Sequence, residues 1–243
     1  MTSENKPLRR RAAAPPADEV ARAAAEPQAP APVDAAVVAE IFRRLQALDP
    51  EPRAELAYVD PYTLLVAVVL SAQATDRSVN LATAELYKAA DTPAAMVELG
   101  EEEVARYIRT IGLYRTKAKN VIALSRLLLE EHGGAVPRHL DVLQTLPGVG
   151  KKTASVVMNV AFGEPRIAVD THIYRVSHRI PLVIARTPDG VQDGLERLIP
   201  PEYRLNAHHW LILHGRYICK ARRPDCPRCP INDLCRHPAK TAA

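Results

Sequence analysis

From Val37 onward, apolar residues recur every three or four positions, the period of helices that bury one face. AAVVAEIFRRLQALD predicts a helix whose inward face carries Val37, Ile41, Leu45 and Leu48. DPYTLLVAVVLSAQATD follows, with Asp60 placed to cap and Pro61 at the first helical position. SVNLATAELYKAA, TPAAMVELG, EEEVARYIRTIG, KAKNVIALSRLLLEEHGG and HLDVLQTLPG extend the pattern, and Gly100, Gly112 and Gly133 stand where helices should stop. No segment alternates in the manner of a strand. The pattern predicts an all-α protein of about ten helices without an internal repeat.

One stretch breaks the rhythm. In LPGVGKKTASVVMNVAF a helix should end near Leu146, turn through Gly148 and Gly150, and restart near Lys151. At 100° per residue, Ala154, Val157, Met158 and Ala161 face one way, and Lys151, Lys152, Ser155 and Asn159 face the other. Two cations in a first turn oppose the helix dipole, so the placement suggests an anion. The unpaired N–H groups of a helix start suit a phosphate.

Composition narrows the class. The chain has 243 residues, a net charge of +4 and 25% charged residues, ordinary for a globular protein and permissive of nucleic-acid binding. The longest apolar run, Tyr62 to Ala72, falls short of the ~18 residues of a membrane span, which predicts a buried helix and no membrane. The N-terminus is polar, carries Arg9–Arg11 and lacks a secretory pattern, so an intracellular, reducing, cytoplasmic setting is expected. Residues 1–35, dominated by Ala, Pro and charge, predict a disordered tail.

In a reducing compartment cysteines serve metals more often than disulfides. All four cysteines fall in the pattern Cys219-x6-Cys226-x2-Cys229-x5-Cys235, which points to a four-thiolate site. Chemistry alone leaves zinc and an iron–sulfur cluster open, although zinc sites more often pair two short C-x2-4-C steps. KARRPD, between the first two cysteines, carries Lys220, Arg222 and Arg223; ligation at both ends would stiffen it into a basic loop fit for phosphates.

The hairpin LPGVGKKTA closely resembles the helix-hairpin-helix of the endonuclease III family of DNA base-excision glycosylases. EPRIAVDTHIYRVSHRI, HHWLILHGRYIC with the cysteines after it, LLSAQATDRSVN and IRTIGLYRTKAKN resemble further parts of that family, so the likeness spans roughly residues 36–237. It implies an all-α, two-lobed helix-hairpin-helix DNA glycosylase fold. One lobe is a six-helix barrel over residues 54–164; the other joins 36–53 to 165–243 around a [4Fe–4S] cluster held by the four cysteines. It also implies a monomer acting on double-stranded DNA with damaged bases or abasic sites. The implied activity is removal of oxidised pyrimidines followed by strand cleavage through β-elimination.

The helical wheel does not choose between the two lysines. The family pattern makes the lysine before Thr-Ala, Lys152, the nucleophile and Asp170 the catalytic carboxylate, with Gly148, Gly150 and Lys151 on the DNA backbone. An amine that displaces a base from the anomeric carbon leaves a Schiff base. With a reference pKa near 10.4, only about one lysine in a few thousand is a free amine at pH 7. A charged Asp170 beside Lys152 would raise that pKa further. By the same resemblance Gln73 and Leu113 fill the space left by an expelled nucleotide, and Ser71 and Asp76 lie near the base pocket. His172 is expected to have no catalytic role, and His208, His209 and His214 to be structural. The superfamily's adenine-mismatch glycosylases lack the lysine and carry a further C-terminal domain. They form one alternative; a non-catalytic DNA-binding module is another.

Overall fold

The computed structural model describes residues 33–242. Ten α-helices and no strand are found among the described residues. The tail expectation for residues 1–32, with its Arg triplet, lies outside them. Its last three residues do not fit that expectation: Val33 is buried and its N–H bonds to the Pro181 carbonyl at 3.1 Å, while Asp34 caps the first helix.

Helix α1 (Ala35–Leu48) buries Val38, Ile41, Phe42 and Leu45, a stripe of period 3.6. Val37 and Leu48, expected inside, are not part of it; Leu48 is 66% exposed. Helix α2 (Pro61–Ser71) starts at a capping box in which the Asp60 carboxylate accepts from Thr63 N and the Thr63 hydroxyl accepts from Asp60 N. Its residues from Tyr62 to Leu70 are all buried, so it is a central helix, packed by α3 (Asp76–Ala89), by α5 (Tyr114–His132) and by α7 (Lys151–Phe162). Truncating one of its leucines to Ala costs about 2–5 kcal/mol.

Helix α4 (Pro93–Tyr107) runs through the two helices expected around Gly100, but Gly100 has φ 82° and breaks the helical path there. Gly112 is not a helix stop: α4 ends five residues earlier, and Leu113 takes the left-handed conformation at the start of α5. Gly133, with φ 59°, does end α5. Short α6 (Leu140–Thr145) leads into the hairpin and α7. Then come α8 (Thr171–Arg179), α9 (Pro188–Leu198) and α10 (Arg204–Leu213), which runs into a π-helical turn, His214–Ile218.

Two hydrophobic cores result. One is built by α2 to α7; the other joins α1 to α8, α9, α10 and Ile231. Helix α7 belongs to the first through Ala154, Val157 and Met158 and reaches the second core's helices by hydrogen bonds. Ser155 and Asn159, placed by the wheel on a solvent face, are buried. Asn159 Nδ2 donates to the carbonyls of Glu164 and Leu205 at 3.1 and 2.9 Å, and Gln192 Nε2 reaches Ser155 Oγ at 3.5 Å. The polar side of α7 thus faces the second core's elements at Ser155 and Asn159, while Lys152 stays exposed.

Candidate active site and metal centre

The hairpin is tight for a local reason. Gly148 has φ 79°, and a Cβ there would stand 2.9 Å from Asn120 Nδ2, so both conformation and space require glycine. Gly150 differs: its φ is −93° and nothing lies within 4 Å of where a Cβ would sit. It begins α7 without any side-chain cap. The first-turn N–H groups are therefore left for an external acceptor. Lys151 Nζ lies 3.4 Å from Asp189 Oδ1 in the first turn of α9, an ion pair the sequence did not announce. Lys152 is exposed, and no ion pair to it occurs among the described residues.

Lys152 opens onto a cleft of about 410 Å³ between the two cores, lined also by Asp170, Ser71, Gln73 and Asp76. Asp170 caps α8: its Oδ1 accepts from His172 N and Ile173 N at 2.9 and 2.8 Å. Those bonds fix the carboxylate at the cleft wall. No ion pair joins Asp170 to Lys152 among the described residues. Ser71 spends its hydroxyl on the Val68 carbonyl at 2.8 Å. Asp76 is bound to Arg216, whose Nη1 lies 2.5 Å from Asp76 Oδ2 and also contacts Glu55; Tyr217 donates to the same Glu55. This network joins the first core's elements to the π-helical turn before Cys219. Glu55 and Arg216 carried no signal in the sequence, because Arg216 lies 161 residues from Glu55 and 140 from Asp76 along the chain.

The cleft floor is unusual. His208 and His209 are buried, their rings 5.3 Å apart, and neither Nδ1 has a hydrogen-bond partner. Burial first, then His209 and Lys152, push His208 down to about 3, so it is neutral at ordinary pH. His172 also lines the cleft, its Nδ1 3.3 Å from Arg175 Nη2.

Gln73 and Leu113 have φ of 55° and 59°, and both side chains are exposed. Left-handed geometry at non-glycine residues costs about 1–3 kcal/mol and clusters at functional sites. Their loops adjoin, since the Gln73 carbonyl lies 4.0 Å from the Cβ position of Gly112.

The four cysteines line one small pocket of about 20 Å³. No three His, Cys, Asp or Glu side chains among the described residues converge as ligands of a single ion. Four thiols spread around a shared space, with no three of them converging on one point, fit a polynuclear cluster better than a single zinc. Burial pushes the Cys229 thiol up to about 11 and raises Cys235 as well, so these two thiolates need a bound cation to form. The basic loop is held by its backbone. Arg179 donates to the carbonyls of Lys220 and Ala221 at 2.6 and 2.9 Å, and Asp225 N bonds to the Ile218 carbonyl. Lys220, Arg222 and Arg223 are left exposed, Arg223 at φ 51°.

A glycine hairpin, a lysine and a capping aspartate on one cleft, and four thiols beside it define the class. Residues 66–201 match the HhH-GPD superfamily of base excision DNA repair proteins, and residues 219–235 match the iron–sulfur binding domain of endonuclease III. The chain is 54% identical over 201 residues to the endonuclease III of Escherichia coli (strain K12), covering 83% of this chain and 95% of the relative. Identity to that of Treponema pallidum (strain Nichols) is 54% over 203 residues, 84% and 96% of the two chains. The fold matches a trapped endonuclease III–DNA covalent intermediate with TM-score 0.79 and 43% identity, over 84% of this chain and 96% of that one. A non-covalent endonuclease III–DNA complex matches equally, with TM-score 0.79 and 42% identity over the same shares. The chain belongs to the endonuclease III family, and its cofactor is a [4Fe–4S] cluster.

Proposed function

We propose that the chain is a bifunctional DNA glycosylase and abasic-site lyase of base excision repair. Its substrates are oxidised pyrimidines and abasic sites in duplex DNA. The observation that carries this reading is one cleft shared by two helix starts, with Lys152 in the first turn of α7 and Asp170 capping α8. Phosphates meet the free N–H groups of the hairpin at Gly148–Gly150 and the Lys151 amine, and the loop of Lys220, Arg222 and Arg223 adds charge. Gln73 and Leu113 fill the stack, and Ser71 and Asp76 stand near the extruded base.

Lys152 attacks the anomeric carbon as the free amine; the C–N bond to the sugar forms as the bond to the base breaks, and the departing base takes up a proton. The adduct loses its ammonium proton and the sugar-ring C1′–O4′ bond breaks, O4′ taking up a proton, which leaves a Schiff base that acidifies the adjacent carbon; proton loss there expels the 3′ phosphate. Asp170, held by two backbone N–H groups, stabilises the cationic sugar and relays protons. The free amine forms when DNA closes the cleft and removes water from around Lys152.

The [4Fe–4S] cluster, held by Cys219, Cys226, Cys229 and Cys235, supplies structural or redox-linked chemistry and no glycosidic step. The two cores support a barrel of six helices over 54–164 and a cluster lobe from 36–53 with 165–243. The protein acts as a monomer in the cytoplasm. Incubation with thymine-glycol and abasic duplexes in the presence of borohydride tests the reading: a covalent protein–DNA adduct is expected with both. A binding module without chemistry gives none, and an adenine-mismatch enzyme prefers an undamaged adenine.

A further inference from the structure

Two side chains from different elements reach the cysteine sulfurs. His214 opens the π-helical turn and is 5% exposed, with its Nε2 3.8 Å from Cys229 Sγ. Arg179, the last residue of α8, has Nη1 3.6 Å from Cys219 Sγ. Both also line the pocket that the four thiols share. The backbone explains how His214 arrives there. Cys219 N bonds to the His214 carbonyl at 2.7 Å, a reach of five residues that inserts one extra residue into the end of α10. Histidine and first cysteine thereby belong to one closed turn. Arg179 is fixed by the Lys220 and Ala221 carbonyls, so its approach to sulfur is not a free surface rotamer.

We propose that His214, with Arg179, is an outer-sphere N–H donor to the cluster's thiolates and that His214 sets the cluster's reduction potential through Cys229. This rests on the four cysteines holding the cluster as read above. A thiolate neighbour selects the histidine tautomer with hydrogen on Nε2, because that nitrogen then donates. In a buried, low-dielectric setting such a bond is stronger than at the surface. It stabilises electron density on sulfur, and the reduced cluster carries one electron more than the oxidised one. The donor therefore favours the reduced form and raises the potential. His214 touches a ligand and not the substrate, so it is a positioning residue and not a catalytic one.

The test uses the cluster-loaded full chain. Protein-film voltammetry of wild type, His214→Leu and His214→Gln is expected to show a negative shift of the midpoint in the leucine variant and recovery of most of it in the glutamine variant, which keeps a donor. Iron and sulfide content are measured on each sample. A leucine variant with full iron and an unmoved midpoint overturns the proposal. Wild type without iron overturns the cysteine assignment instead. Where the leucine variant does not fold, wild type and the glutamine variant decide. Spin-echo modulation spectroscopy of the paramagnetic cluster, with ¹⁵N supplied only in histidine, is expected to show a histidine side-chain coupling that His214→Gln lacks, beside that of the His237 backbone, which lines the same pocket; a spectrum identical in wild type and His214→Gln overturns the proposal.

Discussion

Helices α7 and α8 both begin at the same cleft, one after Gly150 and the other after Asp170, and their starts are finished in opposite ways. Asp170 consumes two of the orphan N–H groups of α8. Gly150 consumes none at α7, and the first turn there carries two lysines. A capped start is complete without a ligand. A glycine start is held at a cost of only about a few tenths of a kcal/mol relative to a good cap, and that cost leaves donors free for phosphate. The difference assigns the roles: α8 presents a rigid carboxylate, and α7 presents an amine beside a grip for DNA.

The largest effect should come from breaking the α7 side. Lys152→Gln is expected to reduce strand cleavage and borohydride trapping to background, because no other amine stands at the nucleophile's position. Lys151→Gln should keep trapping and lose one phosphate contact, lowering the slope of log affinity against log salt by about 0.9. Undiminished trapping by the Lys152 variant at saturating DNA would refute the assignment. The Lys151–Asp189 ion pair is exposed and worth at most about 1 kcal/mol, so Lys151→Gln should scarcely alter the melting temperature.

The α8 side should respond more gently. Asparagine caps about as well as aspartate, so Asp170→Asn separates charge from capping. It should keep the fold and DNA affinity while single-turnover rates fall about 10²–10⁴-fold. Asp170→Ala should lose about 1 kcal/mol of stability in addition. Normal single-turnover rates in a folded Asp170→Asn protein would reduce Asp170 to a cap alone.

The contrast between the two starts was partly legible beforehand. Local chemistry spoke clearly: Asp60 with Pro61 starts α2, Gly133 ends α5, and Gly148 takes the positive φ of the hairpin. Such features depend on neighbours within a few residues. What was missed depends on distant partners. Ser155 and Asn159 look like surface residues on a wheel, yet α7 lies between two cores and both are buried. Gln73 and Leu113 are held left-handed although neither residue type favours it, a strain that only surrounding structure can impose. Asp76 is joined to Arg216 across 140 residues of sequence, and no local pattern encodes that pairing. The cysteine spacing was read directly, but the choice between zinc and a cluster needed the resemblance first and the spread of the thiols afterwards.

The smallest effect is also the sharpest test of the comparison, because it tries to make α7 resemble α8. Gly150 has φ −93° and ψ 178°, the extended geometry of a normal cap, and open space stands where a Cβ would be. Serine should therefore enter without strain, and its hydroxyl can accept from the N–H two or three residues on. Since glycine is itself a tolerable cap, the expected gain in stability is only a few tenths of a kcal/mol, read by urea denaturation of the cluster-loaded protein. The same hydroxyl now competes with phosphate for a donor. A hydrogen bond to a charged group contributes about 1.5–3 kcal/mol, and a serine can rotate away, so the loss in DNA affinity should be a fraction of that, up to about tenfold. Damaged and undamaged duplexes should weaken alike, because backbone contacts carry no base information. Gly150→Ala adds a Cβ without an acceptor and separates steric from capping effects. If serine stabilises the fold and leaves DNA affinity at the wild-type value, the free N–H groups of α7 are solvated by water in the complex, and the two helix starts differ for a reason other than DNA.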